Sequence, residues 1–157
     1  MKEVGRWRTL SLSRIIAHII FSTKERWPFI EREVEGELHA YMASVADACG
    51  CQAILINGTE DHVHILCVLS RTIPLCDLVE EVKKRSSKWI KTKGRELTRF
   101  AWQGGYGAFS LGESNVEAAR RYIRNQKEHH RTVTFQEEYR AFLKRYHIEY
   151  DERYIWD

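Results

Sequence analysis

Apolar residues along this chain recur with two different periods, and the order of those periods predicts the fold. The isoleucine-rich segment SRIIAHIIFSTK over 13–24 and the segment CQAILING over 51–58 are typical of β-strands. Between them, apolar residues recur every three or four positions from Ile30 to Cys49. This spacing predicts an amphipathic helix that ends at Gly50.

The same alternation of strand and helix patterns continues in the next part of the chain. The pair Asn57-Gly58 favours a tight turn, after which HVHILCVLS over 62–70 predicts a third strand. Apolar positions at helical spacing predict a second helix over 75–94. The glycine-rich segment WQGGYGAFSLG over 102–112 predicts a loop that leads into a short fourth strand.

The resulting order, β-α-β-β-α-β over about 13–112, is that of an α+β ferredoxin-like fold, with one antiparallel sheet and two helices on one face. Two capping boxes follow this core, in which an acid lies three positions after a serine or threonine: Ser114 with Glu117, and Thr134 with Glu137. They predict two appended elements, a helix over about 114–130 and a C-terminal helix and tail over 134–157.

Composition limits the organisation of the chain. Its 157 residues, 43% of them hydrophobic, are enough for one domain over 1–157 with a substantial core. No apolar run approaches the roughly 20 residues that span a bilayer. The opening MKEVGRWRTLSLSR lacks the apolar block of a secretory signal. We therefore expect a cytoplasmic protein that does not enter a membrane.

Positive charge is concentrated in one segment, although the net charge is only +3. The stretch KKRSSKWIKTKGRELTR over 83–99 contains eight basic residues and one acid. Such a block is either a solvated helix face or a surface that binds phosphates. The charge pattern leaves both open, and the DNA-binding candidates are Lys83, Lys84, Arg85, Lys88 and Lys91.

Two histidines interrupt the third predicted strand. His62 and His64 lie two positions apart, so their side chains share one face of the sheet. They are either surface side chains of the sheet without a functional role or two ligands for one metal ion. Asp61 precedes them and is a candidate to support a ligand histidine from behind, although strand alternation leaves its direction open.

The helix predicted over 114–130 provides a possible partner for these histidines. Tyr122 and Gln126 are four residues apart and so lie on the same helical face. Two imidazole nitrogens and the Gln126 amide oxygen form a mixed ligand set that suits Mn²⁺ better than Mg²⁺. Tyr122 would then attack a phosphodiester and form a phosphotyrosine. A phenol with a pKa of about 10 is also a workable leaving group, so the step is reversible.

Four motifs occur in order over about residues 13–131: FSTKERW, DHVHIL, WQGGY and YIRNQ. In these motifs the chain resembles the HUH single-tyrosine transposases of the insertion-sequence-200/605 type, including their repeat-associated relatives. HUH denotes two histidines around a bulky hydrophobic residue, here His62-Val63-His64. The tyrosine-x-x-x-glutamine motif of the family corresponds to Tyr122 and Gln126.

The resemblance implies a DNA transposase that cleaves and rejoins single-stranded DNA at hairpin-bearing element ends through a 5′-phosphotyrosine. Tyr122 would be the nucleophile, and His62, His64 and Gln126 would bind Mg²⁺ or Mn²⁺. Relatives work as homodimers in which the tyrosine helix of one subunit completes the metal site of the other.

Three other functions compete with this interpretation. A domesticated relative would bind or process hairpin DNA without transposition. Histidine-triad nucleotide hydrolases need a third strand histidine where this chain has Leu66. Relaxases and replication initiators typically have longer chains, and many use a third histidine as metal ligand where this chain has Gln126.

Overall fold

Four antiparallel strands form the centre of the computed structural model, which describes residues 11–157. The sheet order is β2-β3-β1-β4, and each neighbouring pair is antiparallel. This order and the chain connections confirm the predicted α+β ferredoxin-like fold. The strands are β1 (Ile15–Ser22), β2 (Gln52–Gly58), β3 (His62–Leu69) and β4 (Gly107–Leu111).

Five α-helices accompany the sheet in the described residues: α1 (Arg32–Ala48), α2 (Leu75–Ile90), α3 (Val116–Arg124), α4 (Gln126–His129) and α5 (Phe135–Arg145). The helix predicted over 114–130 is therefore two helices. Asn125 separates them, because its backbone (φ −92°, ψ 19°) departs from helical geometry. No helix in the part of the chain that the structure describes is long and apolar enough to cross a membrane.

Helices cover both faces of the sheet, and β3 divides its side chains between them. Val63, Ile65 and Cys67 belong to the main core, which α1 and α2 close. The alternate residues point the other way, where Leu66 packs against Ile123 of α3. The appended helices α3, α4 and α5 therefore make a third layer, and His62 and His64 lie beneath it.

One of the two predicted capping boxes forms. The Thr134 hydroxyl accepts a hydrogen bond from the backbone N–H of Glu137 at 3.2 Å and caps α5. The box predicted at Ser114 is wrong, because a 3₁₀ turn over Glu113–Asn115 delays the start of α3 and leaves Asn115 as its N-cap without a side-chain hydrogen bond. Glu113 in that turn instead pairs with Arg14 at 2.6 Å.

The tight turn predicted at Asn57-Gly58 is also wrong, because β2 continues through both residues. The hairpin closes one residue later, where the backbone N–H of Thr59 donates to the carbonyl of His62 at 3.1 Å. Asn57 stays in the strand and its side-chain amide donates to the carbonyl of Ile123 at 2.9 Å, which ties β2 to α3. Gly58 permits the close approach of β2 and β3 at the hairpin, since a Cβ there would lie 2.1 Å from the His62 carbonyl oxygen.

Candidate metal and nucleophile site

The histidine pair is buried at the interface between the sheet and the appended helices. His62 and His64 are both 0% exposed, and their ring centroids are 5.2 Å apart. The third layer explains this burial, because Gln126, His130 and Glu138 cover the face of β3 from which both rings project. As the two-residue spacing predicts, the rings share one face.

Tyr122 and Gln126 contact the histidines from the third layer. Gln126 Oε1 lies 3.1 Å from His62 Nε2, and the Tyr122 ring centroid lies 5.9 Å from that of His64. A single chain thus brings together all four residues that the sequence places at the site.

Glu138, on α5, lies at the centre of this cluster and is 2% exposed. Its Oε1 lies 2.9 Å from His64 Nε2, while its Oε2 accepts hydrogen bonds from the Tyr122 hydroxyl and from Gln126 Nε2, the latter at 3.3 Å. A buried carboxylate is costly unless it is paired and hydrogen-bonded, and these hydrogen bonds provide part of that compensation.

A further imidazole, that of His130 just after α4, reaches the same point. Its Nε2 lies 3.1 Å from Glu138 Oε1, but the geometry is not that of a hydrogen bond, and this buried nitrogen has no other hydrogen-bond partner. One ligand atom each from His62, His64, His130 and Glu138 lie within 4.8 Å of one another. Metal–ligand bonds of about 2.0–2.2 Å require ligand atoms close to this spacing.

Residues behind the histidines orient the rings. Asp61 Oδ1 lies 2.7 Å from His62 Nδ1, which also lies 2.9 Å from the Thr59 hydroxyl. The carboxylate only accepts, so a neutral His62 carries its proton on Nδ1 and has a lone pair on Nε2. That lone pair faces the oxygen of Gln126, and a cation between the two atoms would satisfy both. The site therefore fits a divalent metal by the chemistry of its donors.

His64 is supported in a comparable way by a residue of the neighbouring strand. His18 Nε2 lies 2.7 Å from His64 Nδ1, and both rings are buried. Burial lowers the pKa of His64 to about 4, even though Glu138 opposes this effect. His64 is consequently neutral near pH 7, which is the form that binds a metal.

The electrostatics of the site keep the Tyr122 phenol protonated. Burial first, and then the negative charge of Glu138, raise the pKa of the phenol well above its ordinary value. Burial alone would raise the pKa of Glu138, but contacts with His130 and His64 outweigh it and hold that pKa below its usual range. At neutral pH the site therefore contains a carboxylate that receives the phenolic proton in a hydrogen bond.

The predicted DNA-binding residues lie on α2 and just after it, across the sheet from the histidines. Lys83 Nζ donates to the carbonyls of Gln103 and Gly105 at 2.8 and 2.6 Å, and burial lowers its pKa to about 8. Lys83 is thus engaged inside the protein. The other four candidates have exposed basic side chains: Lys84, Arg85, Lys88 and Lys91. Of these, Arg85 pairs with Glu81 at 2.9 Å.

The tryptophan-glutamine motif supports the end of β1. Gln103 Oε1 accepts from the backbone N–H of Ser22 at 2.7 Å, and the Trp102 indole packs edge-on against Phe21. Trp102 also donates to the Ser86 hydroxyl at 3.0 Å, which links this loop to α2. These contacts give the motif an architectural role.

A ferredoxin-like sheet whose central strand turns two histidines toward a helical tyrosine is the arrangement that the resemblance to transposases predicts. The family model described as "Transposase IS200 like" matches residues 11–126. The chain therefore belongs to the IS200-like transposase family. The match ends at Gln126, so His130 and Glu138 lie beyond it.

Two solved structures share the fold. A candidate transposase from Deinococcus radiodurans R1 is 21% identical, with a TM-score of 0.60 over 75% of this chain and 95% of that one. A REP-associated tyrosine transposase bound to a REP hairpin is 12% identical, with a TM-score of 0.59 over 80% of this chain and 74% of that one. No curated protein sequence matches the chain significantly.

Sequence reasoning missed Glu138 and His130, although a signal for Glu138 exists. Phe135, Glu138 and Phe142 lie three and four positions apart, so an acid interrupts the apolar face of α5. An acid within such a face indicates a buried charge that needs partners. His130 gives no comparable signal, because a histidine at the end of a helix is typical of dipole complementation.

Proposed function

We propose that this transposase cleaves and rejoins single-stranded DNA at hairpin-bearing element ends through a 5′-phosphotyrosine on Tyr122. The observation that carries the proposal is the proximity of the Tyr122 phenol to the buried histidine pair in one cluster of an IS200-like chain. The REP hairpin bound by a structural relative supports a hairpin as the form of DNA.

His62, His64 and Gln126 would hold the divalent ion, and their mixed nitrogen and oxygen donors favour Mn²⁺ over Mg²⁺. When bound, the metal polarises the phosphodiester and offsets charge that develops on its oxygens. Asp61 fixes the proton on His62 Nδ1, so that Nε2 is directed into the site. The other imidazole, that of His64, is neutral near pH 7 because burial lowers its pKa.

Tyr122 supplies the attacking oxygen. The phenolic oxygen bonds to phosphorus while Glu138 Oε2 accepts its proton, and the bond from phosphorus to the 3′-oxygen breaks. The leaving 3′-oxygen takes up that proton, so the DNA strand leaves with a free 3′-hydroxyl. Before the reaction, Glu138 Oε2 holds the phenolic proton in a hydrogen bond and so directs the oxygen toward the cluster. Attack of a 3′-hydroxyl on the phosphotyrosine reverses these steps and rejoins a strand.

The homodimer with composite sites that the resemblance implies stays a prediction, as does the cytoplasmic location. An exchange of tyrosine helices would require α3 to leave His62 and His64 of its own chain. The contact of Asn57 with the Ile123 carbonyl would break in that exchange.

The proposal is tested with labelled single-stranded hairpin DNA, incubated with the protein and Mg²⁺ or Mn²⁺ and resolved on a denaturing gel. We expect a covalent protein–DNA band that disappears with a chelator and in Tyr122→Phe. Tyr150→Phe is the matched control, because Tyr150 is 41% exposed in the C-terminal tail, and it should form the band normally. An adduct in Tyr122→Phe would refute the assignment.

The second candidate is a hairpin-binding protein that no longer transposes. It is favoured by the hydrogen bond that holds the Tyr122 phenol on Glu138 and by the raised pKa of that phenol. Hairpin binding with no adduct in either metal would support this alternative.

A further inference from the structure

We propose that Glu138, together with His130, completes the ligand set of the metal from within the same chain, and that the second carboxylate oxygen of Glu138 positions Tyr122. This proposal rests on the proposed function and adds to it. Both residues lie outside the segment that matches the family model, in the part of the chain that forms the third layer.

The first support is convergence of donors. Glu138 Oε1 lies 2.9, 3.1 and 3.5 Å from the Nε2 atoms of His64, His130 and His62. Three imidazole nitrogens from a strand and from the end of α4 thus surround one oxygen from α5. Small outward shifts of these four side chains would leave room for an ion with nitrogen and oxygen ligands.

The second support is unbalanced charge. The groups that contact the Glu138 carboxylate are imidazoles, the Tyr122 phenol and the Gln126 amide. None of these groups has the fixed positive charge of lysine or arginine. A buried carboxylate with such partners is better compensated by a cation, and a divalent ion supplies that charge directly.

The third support is the His130 imidazole. Its Nε2 is buried, without a hydrogen-bond partner, and directed at the same oxygen. Buried polar atoms are ordinarily satisfied, so an unpaired nitrogen at a cluster of donors indicates a missing partner. A metal ion would accept its lone pair.

The arrangement links the metal to the nucleophile. If Oε1 of Glu138 binds the ion, Oε2 still accepts the hydrogen bond of the Tyr122 hydroxyl. Glu138 is then a metal ligand and a positioning residue for Tyr122 at the same time. In the arrangement described, the ligands and the nucleophile lie on one chain.

Mn²⁺ binding to the full-length protein, followed by electron paramagnetic resonance and calorimetry, tests this proposal without DNA. We expect Glu138→Gln and His130→Gln each to weaken Mn²⁺ affinity by about tenfold or more, as loss of a ligand contact requires. Glu137→Gln, a neighbouring exposed acid on the same helix, should bind Mn²⁺ as the wild type does. Circular dichroism checks that each variant is folded.

The outcomes separate this proposal from the proposed function. If Glu138→Gln and His130→Gln bind Mn²⁺ normally while His64→Ala does not, the added ligands are refuted and the histidine site stands. If Glu138→Gln does not fold, Glu138→Asp replaces it, and unchanged Mn²⁺ affinity in Glu138→Asp and His130→Gln together overturns the proposal. Adduct formation by the wild type is assessed separately with DNA.

A groove of about 640 Å³ beside the site carries a second, independent inference. It lies between the end of β4, α3 and α5, and Tyr122 forms part of its wall. Phe142, Tyr146 and Ala119 supply apolar surface, Arg145 supplies a positive charge, and Glu137 and Glu138 supply carboxylates. We infer that this groove receives the nucleotide next to the scissile phosphate.

The position of Tyr122 determines the occupant. The phenolic oxygen must reach phosphorus, so the nucleotide attached to that phosphate lies next to the Tyr122 hydroxyl. Aromatic faces can stack on any base, and a cation near them can contact the next phosphate. The volume lies within the range of about 300–1,000 Å³ for pockets that enclose small ligands.

Binding of hairpin DNA with and without a single-stranded extension tests the groove, in a Tyr122→Phe background that cannot form the adduct. Ala141→Trp fills the groove from α5, and Gln136→Trp is the control on the same helix outside the lining. We expect Ala141→Trp to lose the gain in affinity that the extension gives, while Gln136→Trp keeps it. Equal gain in both variants, or no gain in either, would overturn the inference.

Discussion

The hydroxyl of Tyr122 donates a hydrogen bond to the carboxylate of Glu138, which lies on the next long helix of the chain. The contact joins the nucleophile to the helix that closes the third layer. It also places the phenol beside three imidazoles, since His64, His129 and His130 touch the same carboxylate. The appended helices therefore build the site and do not only cover the sheet.

Asp61 should control metal affinity through His62. Asp61→Asn removes the carboxylate that holds the proton on His62 Nδ1. The lone pair on Nε2 is then no longer fixed toward the metal site. We expect Mn²⁺ affinity to fall by about 10–100-fold, measured by calorimetry. Glu60→Gln, the exposed neighbouring acid, is the control and should leave the affinity unchanged. Equal affinities in all three proteins would show that Asp61 does not act on the site.

Stability of the metal-free protein should fall as the solution becomes acidic. Burial lowers the pKa of His64 to about 4 and that of His18 to about 3, against about 6.5 in the unfolded chain. Between those limits the unfolded chain binds more protons than the folded one, so the free energy of unfolding decreases as the pH drops below about 6.5. For His64 the total effect is on the order of 3 kcal/mol by pH 4.

Urea denaturation at pH 7 and at pH 5, in the presence of a chelator, measures this effect. His64→Gln removes one titrating group and should flatten the pH dependence, whereas His147→Gln, an exposed change, should not. A wild-type free energy of unfolding that is the same at both pH values would mean that the buried imidazoles take up protons without cost.

Lys83 should behave differently from the other basic residues of the 83–99 block. Its ammonium group donates to two backbone carbonyls, so Lys83→Ala should lower the free energy of unfolding by about 1–3 kcal/mol. Lys84→Ala and Lys88→Ala change exposed side chains, so they should leave stability unchanged. If the block binds DNA, these two variants should weaken binding and reduce its salt dependence.

Thermal melts and DNA titrations at several salt concentrations distinguish the two roles. A Lys83→Ala variant with wild-type stability and a reduced salt dependence would assign Lys83 to the DNA surface. The two hydrogen bonds that hold the Lys83 ammonium group inside the protein make that result unexpected.

The sequence was sufficient to predict what depends on local pattern. The order of strands and helices follows from hydrophobic period, and the common face of His62 and His64 follows from strand geometry. Tyr122 and Gln126 follow from helical spacing in the same way, although the helix breaks at Asn125 between them. Both side chains still contact the histidines despite this break.

The remainder depends on contacts between distant segments. Asn57 stays in β2 and contacts α3, and the capping box at Ser114 does not form because a 3₁₀ turn over Glu113–Asn115 makes Asn115 the N-cap. Glu138 reaches the site only because α5 packs across β3 near His62 and His64. Such long-range packing leaves no periodic signal, apart from the acid within an apolar helix face.

The most direct test of the central claim is identification of the tyrosine that becomes linked to DNA. The wild-type protein is incubated with hairpin DNA and Mn²⁺, the adduct is digested with protease and nuclease, and tandem mass spectrometry locates the nucleotide. We predict a nucleotide attached through its 5′-phosphate to Tyr122, and no such peptide when a chelator is present. A nucleotide on another tyrosine, such as Tyr106 or Tyr146, or an adduct that forms without metal, would contradict the account.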